Sequence, residues 1–189
     1  MDVINRQELG IEKFYYFGRI RKGAVFIHPT DTIYGLGCDA TNPVAVVKLK
    51  DIKQRSATPF SVIAPGIGWI RKNCVVRPAH DEWLGKLPGP YTLVFQLSNR
   101  SAVAPEVNCG LDTLGVRVPR HWFSKVVEEL GFPVVTTSAN ISGQDFMTSI
   151  DNIDSRVASR VDFAIYEGEK KGTPSTVVKL VEEVEVLKR

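Results

Sequence analysis

The chain has 189 residues, enough for a substantial core, and we expect residues 1–189 to form a single domain. Its contents of 43% apolar and 24% charged residues are those of an ordinary globular protein, and no apolar run approaches the roughly 20 residues that span a membrane. The net charge of +3 is too small to demand a nucleic-acid partner, but it allows a local basic groove for phosphates.

Cysteine usage points to a reducing compartment. Cys38, Cys74 and Cys109 are odd in number and far apart, and the sequence has no C-x-x-C pair. This pattern argues against a disulfide framework and against a zinc site. The N-terminal residues are polar and do not resemble a secretory signal. We therefore expect a cytoplasmic protein.

The predicted elements follow one another in irregular alternation. Helices are predicted over residues 5–22, 42–55, 67–73, 79–87, 121–130 and 150–159. Strands are predicted over residues 24–28, 34–38, 61–64, 88–97, 114–119, 132–137, 163–166, 175–180 and 184–187. This order predicts an α/β fold with one sheet of mixed direction, and nothing indicates an internal repeat or a linker.

Apolar spacing predicts which face each of the first two helices buries. In the first helix, Leu9, Phe14, Phe17 and Ile20 recur at helical spacing. In the second, Asn42 is the predicted cap and Pro43 the first helical residue, with Val44, Val47 and Ile52 expected to point inward.

The first candidate site segment is HPTDTIYGLGCDA, residues 28–40, directly after an apolar strand. Thr30, Asp31 and Thr32 place three short polar groups at a strand end, where ligands collect in α/β folds. The alternative is an ordinary turn whose threonines bond the backbone.

Two basic features could bind anions. Lys53 and Arg55 close the second helix, either as a phosphate clamp or as cations that suit the helix dipole. Arg117 lies within an apolar strand, opposite the faces of Val116 and Val118. It is either an edge residue that faces water or an anchor for a carboxylate or phosphate.

Two further polar clusters adjoin strands. In TTSANISG, Ser138 and Asn140 follow an apolar strand, either as an anion site or as a helix cap. Short hydroxyl groups also begin the strand at Ser175. The sequence has no G-x-x-x-x-G-K-[ST] loop, no G-x-G-x-x-G and no G-x-S-x-G elbow. The site is therefore expected to bind and align charged small molecules, without a protein nucleophile.

These clusters, in this order, resemble the YrdC-like family of L-threonylcarbamoyladenylate synthases. The matching segments are HPTDTIYGLGCDA, KQR, PGPYTLVF, DTLGVRVPRH, TSANISG and PSTVV, and they extend over residues 24–178. The resemblance implies a twisted open α/β sheet with flanking helices around a positively charged concave cavity. The chain is similar to the short form, which lacks a further C-terminal domain.

The resemblance also implies the reaction. L-threonine, bicarbonate and ATP would give L-threonylcarbamoyladenylate and pyrophosphate, with Mg²⁺ accompanying ATP and no metal held by the protein. The product would pass to a threonylcarbamoyltransferase complex that modifies tRNA. Two alternatives stay open: a double-stranded RNA or tRNA-binding module without catalysis, and a relative that forms a carbamoyl adenylate.

Site residues follow from the resemblance, motif by motif. Lys53 and Arg55 are implied as the catalytic phosphate contacts. The implied threonine contacts are Thr32, Arg117, Thr136 and Ser175. The implied ATP contacts are Lys53, Arg55, Thr58, Thr113, Ser138, Asn140 and Arg189.

The chain departs from the family pattern in three places, one of which is Ile63, where some relatives carry a histidine. The run after KQR is one residue shorter than in the family, and Thr58 stands in for the usual polar contact there. Residues 144–148 lack the common Pro/Ser pattern.

Overall fold

The computed structural model describes residues 1–55 and 57–187, and the strands of that part of the chain form one ten-stranded mixed sheet. The strands are β1 (Asp2–Ile4), β2 (Phe26–His28), β3 (Gly35–Gly37), β4 (Ser61–Ile63), β5 (Tyr91–Gln96), β6 (Thr113–Arg117), β7 (Val134–Ser138), β8 (Phe163–Ile165), β9 (Thr176–Leu180) and β10 (Val184–Leu187). The α-helices are α1 (Arg6–Ile11), α2 (Lys13–Arg21), α3 (Pro43–Lys53), α4 (Ile67–Asn73), α5 (Asp81–Leu84), α6 (Pro105–Asn108), α7 (Phe123–Leu130) and α8 (Ser155–Ala158).

The strand order is β1-β8-β2-β3-β7-β4-β6-β5-β9-β10. The pairs β1–β8, β2–β8, β4–β6 and β5–β9 are parallel, and the other pairs are antiparallel. The predicted mixed sheet is therefore confirmed. The strands β3, β7, β4 and β6, which carry most of the motifs, lie side by side at the centre.

Apolar side chains pack on both faces of the sheet. Because side chains alternate along a strand, Val62 and Ile63 of β4 belong to different buried clusters. The helices α3, α4 and α8 cover the Val62 face, whereas α2 and α7 cover part of the Ile63 face. Alternation also places Thr136 and Ser138 of β7 on the Ile63 face, because Ile63 pairs with Val134.

The second helix forms as predicted, but it buries a different stripe. Asn42 Oδ1 accepts the Ala45 N–H at 3.1 Å, as a helix cap does. Val44 is 77% exposed, so the prediction that it points inward is wrong, and Val47 is also exposed. The buried stripe instead includes Val46, Leu49 and Ile52. Ile52 is buried as predicted, but apolar residues lie on both faces of this helix, so spacing alone misplaced Val44 and Val47.

The first predicted helix is two helices, because the backbone of Glu12, between α1 and α2, departs from helical angles with φ at −100° and ψ at 28°. Phe14 was expected in the core and is 88% exposed, whereas Tyr16, Phe17 and Ile20 are buried. Asn5 caps α1, and the preceding strand β1 was not predicted. A three-residue strand has too few residues to show a period-2 pattern.

The remaining predicted elements differ mainly at their ends. α5 and α8 are single turns preceded by 3₁₀ turns at Pro78–His80 and Ile150–Asn152. Gly131 ends α7 with φ at +81°, the left-handed conformation in which glycine commonly terminates a helix. The last two predicted strands are confirmed, and they form a hairpin in which β9 and β10 pair antiparallel. No helix in the described part of the chain is long and apolar enough to cross a membrane.

Candidate active site

The segment between β2 and β3 is a turn held by its own threonines. Thr30 Oγ1 donates to the Ile33 carbonyl oxygen at 2.8 Å and accepts the Thr32 N–H at 3.1 Å. The Thr30 and Thr32 hydroxyl oxygens lie 2.9 Å apart, and both side chains are buried. The turn is therefore fixed by internal hydrogen bonds.

Arg117 is a buried cation at the end of β6. Because β6 lies between β4 and β5, the interpretation of Arg117 as an edge residue facing water is wrong. Its Nη2 atom donates to Asp31 Oδ1 at 2.9 Å and to Thr32 Oγ1 at 3.2 Å. The side chains of Arg117 and Asp31 are only 7% and 10% exposed. Asp31, which belongs to the first candidate site segment but not to the contacts implied by the resemblance, is thus the ion-pair partner of Arg117.

A pocket of about 140 Å³ lies on the Ile63 face of the sheet. Arg117, Thr136 and Ser175 line it, so three of the four predicted threonine contacts share one cavity. Ser175 Oγ lies 2.8 Å from Thr92 Oγ1, which also lines the pocket. We call this cavity the hydroxyl pocket. Thr32 contacts it through Arg117.

A second pocket, of about 290 Å³, adjoins the first. Lys53, Arg55, Thr58, Ser138 and Asn140 line it, so five predicted ATP contacts meet there. We call it the basic pocket. Arg55 and Ser138 line both cavities, and they therefore form a common wall.

Lys53 is buried beneath the Ser138–Asn140 turn. Its Nζ atom donates to the Ser138 carbonyl oxygen at 2.7 Å and to Asn140 Oδ1 at 2.6 Å. Burial, aided by the nearby charge of Arg55, lowers the pKa of Lys53 to about 7. Lys53 thus fixes the turn while it also borders the basic pocket.

Arg55 is more accessible than Lys53. Its guanidinium donates to the Pro59 carbonyl oxygen at 3.3 Å and lies 5.7 Å from the centre of the Phe60 ring. A partly exposed guanidinium between two cavities can pair with an anion in either of them, because its N–H groups form a planar fork.

One predicted ATP contact, Thr113, lies elsewhere. Thr113 begins β6, about 13 Å along the strand from Arg117 at the usual rise, and it lines neither pocket. Its carbonyl oxygen accepts a hydrogen bond from Asn108. Arg189 lies outside the described residues.

His28 packs beneath the site as a neutral ring. It stacks on Phe123 with ring centroids 4.7 Å apart, and its Nδ1 atom lies 3.3 Å from the Pro29 carbonyl oxygen. Burial lowers the pKa of His28 to about 3. A methyl group on Gly35 would lie 2.8 Å from the His28 ring, so only glycine fits at this position.

Two covering segments were not predicted from sequence. Phe146 and Pro174 line the hydroxyl pocket from two loops, and Lys170 N–H donates to the Thr148 carbonyl oxygen at 2.9 Å to join those loops. Gly172 lies against Thr32, where a side chain would overlap the Thr32 carbonyl oxygen. In the described part of the chain, no group of three His, Cys, Asp or Glu residues is placed to hold a metal ion.

Comparison with family models gives one match. Residues 19–189 match the Sua5, YciO and YrdC family model, which carries the description "Telomere recombination". A putative threonylcarbamoyl-AMP synthase of Methanocaldococcus jannaschii is 34% identical over 165 residues, which is 85% of this chain and 76% of the relative. The threonylcarbamoyl-AMP synthase of Pyrococcus abyssi is 35% identical over 178 residues, which is 91% of this chain and 52% of the relative.

Solved structures show the same fold. Sua5 of P. abyssi, crystallised with L-threonine, superposes with a TM-score of 0.82 at 31% identity, over 95% of this chain and 54% of that one. YciO of E. coli superposes with a TM-score of 0.83 at 25% identity, over 99% of this chain and 93% of that one. The chain thus spans about half of the archaeal Sua5 and nearly all of YciO.

Proposed function

The chain belongs to the Sua5, YciO and YrdC family, and from that membership we propose that it is a threonylcarbamoyl-AMP synthase. In this reaction L-threonine, bicarbonate and ATP give L-threonylcarbamoyladenylate and pyrophosphate. The names of the curated relatives support this activity.

The observation that carries the proposal is the common wall of the two pockets. One cavity holds a buried guanidinium and hydroxyl groups, which suit the carboxylate and hydroxyl of threonine. The other holds Lys53 and Arg55, which suit phosphates. Two reactants in adjoining cavities would meet at Arg55 and Ser138, so binding itself brings the reacting atoms together.

The chemistry needs no protein nucleophile. The neutral amine of threonine adds to the carbon of bicarbonate, and loss of water leaves a carbamate. A carbamate oxygen then attacks the α-phosphorus of ATP. A new bond forms between the carbamate oxygen and the α-phosphorus. The bond between the α-phosphorus and the oxygen that bridges it to the β-phosphate breaks, and pyrophosphate leaves with that electron pair. Cations at Lys53 and Arg55 would stabilise the charge that develops on the phosphates.

We assign the site residues accordingly. Arg117 would bind the carboxylate of threonine, with Thr32, Thr136 and Ser175 around the rest of the molecule. Arg55, Thr58, Ser138 and Asn140 would contact ATP, and Lys53 would hold their turn in place and add its charge. Thr113 and Arg189 are also proposed as ATP contacts, and for these two residues the proposal rests on the family motif alone.

The metal ion, the partner and the location that we propose for the enzyme also follow from its family. Mg²⁺ would accompany ATP as part of the substrate. The adenylate would pass to a cytoplasmic threonylcarbamoyltransferase complex that modifies tRNA. We also propose that a positively charged cavity binds tRNA or double-stranded RNA directly, as an accessory property of the enzyme.

The activity is tested with purified protein, ATP, Mg²⁺, bicarbonate and L-threonine. We expect pyrophosphate release together with an acid-labile adenylate, and neither in the absence of threonine or bicarbonate. Pyrophosphate release that does not depend on threonine would contradict the assignment. RNA binding without any adenylate formation would instead favour the non-catalytic RNA-binding module. Adenylate formation with carbamoyl phosphate in place of threonine and bicarbonate would favour a relative that forms a carbamoyl adenylate.

A further inference from the structure

The ion pair between Arg117 and Asp31 places a carboxylate of the protein on the cation that is proposed to bind the carboxylate of threonine. The two side chains are joined at 2.9 Å and are almost fully buried. Arg117 lines the hydroxyl pocket, whereas Asp31 does not. Asp31 therefore contacts the guanidinium without being part of the pocket wall.

Asp31 is itself held in place from a second direction. Its Oδ2 atom accepts the backbone N–H of Arg120 at 2.8 Å, just beyond the end of β6. Its Oδ1 atom accepts from Arg117. One carboxylate thus bridges the turn of residues 29–33 to the segment that carries the guanidinium. This arrangement fixes the orientation of Arg117 before any ligand binds.

We propose that Asp31 is a positioning residue that sets the affinity for threonine, because it competes with the carboxylate of the substrate for Arg117. This inference rests on the proposed function. In the empty pocket, Asp31 neutralises a buried cation that would otherwise be costly to hold. In the occupied pocket, two carboxylates share one guanidinium and repel each other, so Asp31 weakens threonine binding while it keeps the fork oriented.

The test compares wild type with Asp31→Asn by calorimetry with L-threonine and with L-threonine amide. The asparagine retains an oxygen acceptor for Arg117 but removes the negative charge. We expect the variant to bind L-threonine at least about tenfold more tightly, because a charge–charge repulsion a few ångströms away is stronger in a buried site than in water. The amide carries no carboxylate, so its affinity should change little. The ratio of the two affinities is a readout that a merely structural role would not change.

An unchanged or weaker affinity of the variant for L-threonine, or an equal gain for the acid and the amide, would overturn the inference. Adding Arg117→Gln to the variant should abolish the gain, because the guanidinium is then absent. Asp39→Asn is the matched control, since Asp39 is also buried but accepts hydrogen bonds from Thr41, away from the pocket. It should leave the acid-to-amide ratio unchanged.

Asp31→Ser makes the same change of charge and leaves room for water, so it replaces Asp31→Asn if that variant does not fold. The outcomes also separate the two proposals. If wild type binds no L-threonine and forms no adenylate, the proposed function fails and this inference fails with it. If wild type is active and the neutral variants show no selective gain for the acid, only the role of Asp31 is wrong.

Discussion

Burial determines what the basic side chains at this site can do. Lys53 donates its hydrogen bonds to the Ser138–Asn140 turn and has a pKa lowered to about 7, so near neutral pH its charge is partial. His28 is fully buried and neutral. Arg117 carries the permanent charge of a guanidinium, and Asp31 pairs with it. Arg55 has more contact with solvent and is the best placed of these groups to respond to a ligand.

Arg117→Met is expected to abolish threonine binding and also to destabilise the fold. Removal of one partner of a buried ion pair costs about 3–5 kcal/mol, because Asp31 is left as an uncompensated buried charge. Urea unfolding and calorimetry with L-threonine measure the two effects. Adding Asp31→Asn should restore much of the stability without restoring binding. Full threonine affinity in the single variant would contradict the role of Arg117.

His28 should make stability fall as the pH is lowered. Its pKa is about 3 in the folded protein and near 6.5 in the unfolded chain, so between these values only the unfolded state is protonated. Stability is therefore present above pH 6.5 and is lost as the pH falls, by about 2 kcal/mol between pH 7 and pH 5.

Urea unfolding at pH 7 and pH 5, on wild type and on His28→Leu, checks this prediction. The variant cannot titrate at this position, so its loss of stability over the same interval should be smaller by about 2 kcal/mol. His121→Gln is the comparison variant: burial also lowers the pKa of His121, but its hydrogen bond to Glu167 opposes the shift, so a smaller effect is expected there. An equal loss in wild type and His28→Leu would show that the buried ring is not responsible.

Residues 167–175, which we call the strap, connect β8 to β9 and border the hydroxyl pocket. Tyr34 Oη donates to the Gly168 carbonyl oxygen at 2.7 Å and accepts the Glu167 N–H at 3.0 Å. The Glu167 carboxylate accepts from Trp122 Nε1 at 2.7 Å. Gly172 then lies against Thr32, and Ser175 reaches the pocket. The strap therefore ties three distant segments to one wall of the site.

Gly172→Ala should displace the strap from Thr32, because the new methyl group would overlap the Thr32 carbonyl oxygen. A rigid backbone atom cannot yield as a flexible side chain can, so we expect the KM for threonine to rise about tenfold or more. The KM for ATP should change much less. Steady-state kinetics measures both constants.

Gly68→Ala is the matched control, since nothing lies within 4 Å of a methyl group at Gly68 in α4. It should leave both constants unchanged. Wild-type threonine kinetics in Gly172→Ala would mean that the strap does not shape the pocket.

The sequence predicts where helices and strands lie better than it predicts which face of a helix is buried or which strands pair. Alternating and helical patterns locate most helices and strands, because burial on one side leaves a period in the sequence. In α3 that period is ambiguous, since Val44 and Val47 are apolar but exposed. Strand pairing leaves no such local signal, and the parallel pairing of β5 with β9 joins segments far apart in the chain.

The same limit applies to the site. Arg117, Thr136 and Ser175 could be found because each belongs to a motif beside a strand. The pairing of Arg117 with Asp31 joins residues 86 positions apart, and nothing in either motif identifies the other. The contact of Gly172 with Thr32 is equally hidden, because a glycine in a charged turn has many ordinary explanations.

The fold brings two cavities together from strands that are scattered along the chain. The order β3-β7-β4-β6 places the turns after β2, β6 and β7 around one region of the Ile63 face. Because Arg55 and Ser138 line both cavities, a ligand that spans the two should gain over separate ligands. Such a ligand loses its translational freedom once, whereas two ligands lose it twice.

A stable analogue of threonylcarbamoyladenylate, with a non-reactive linkage in place of the carbamoyl–phosphate anhydride, should therefore stabilise the protein more than L-threonine and a non-hydrolysable ATP analogue added together. Thermal unfolding at matched concentrations measures the difference as a larger rise in Tm. Arg55→Ala should weaken the analogue by about tenfold to a hundredfold, the value of a charge-assisted hydrogen bond of about 1.5–3 kcal/mol. Arg71→Ala, which removes an exposed arginine paired with Asp81, is the control. A Tm rise no larger than that of the two separate ligands would mean that the cavities do not bind the two halves of one adenylate.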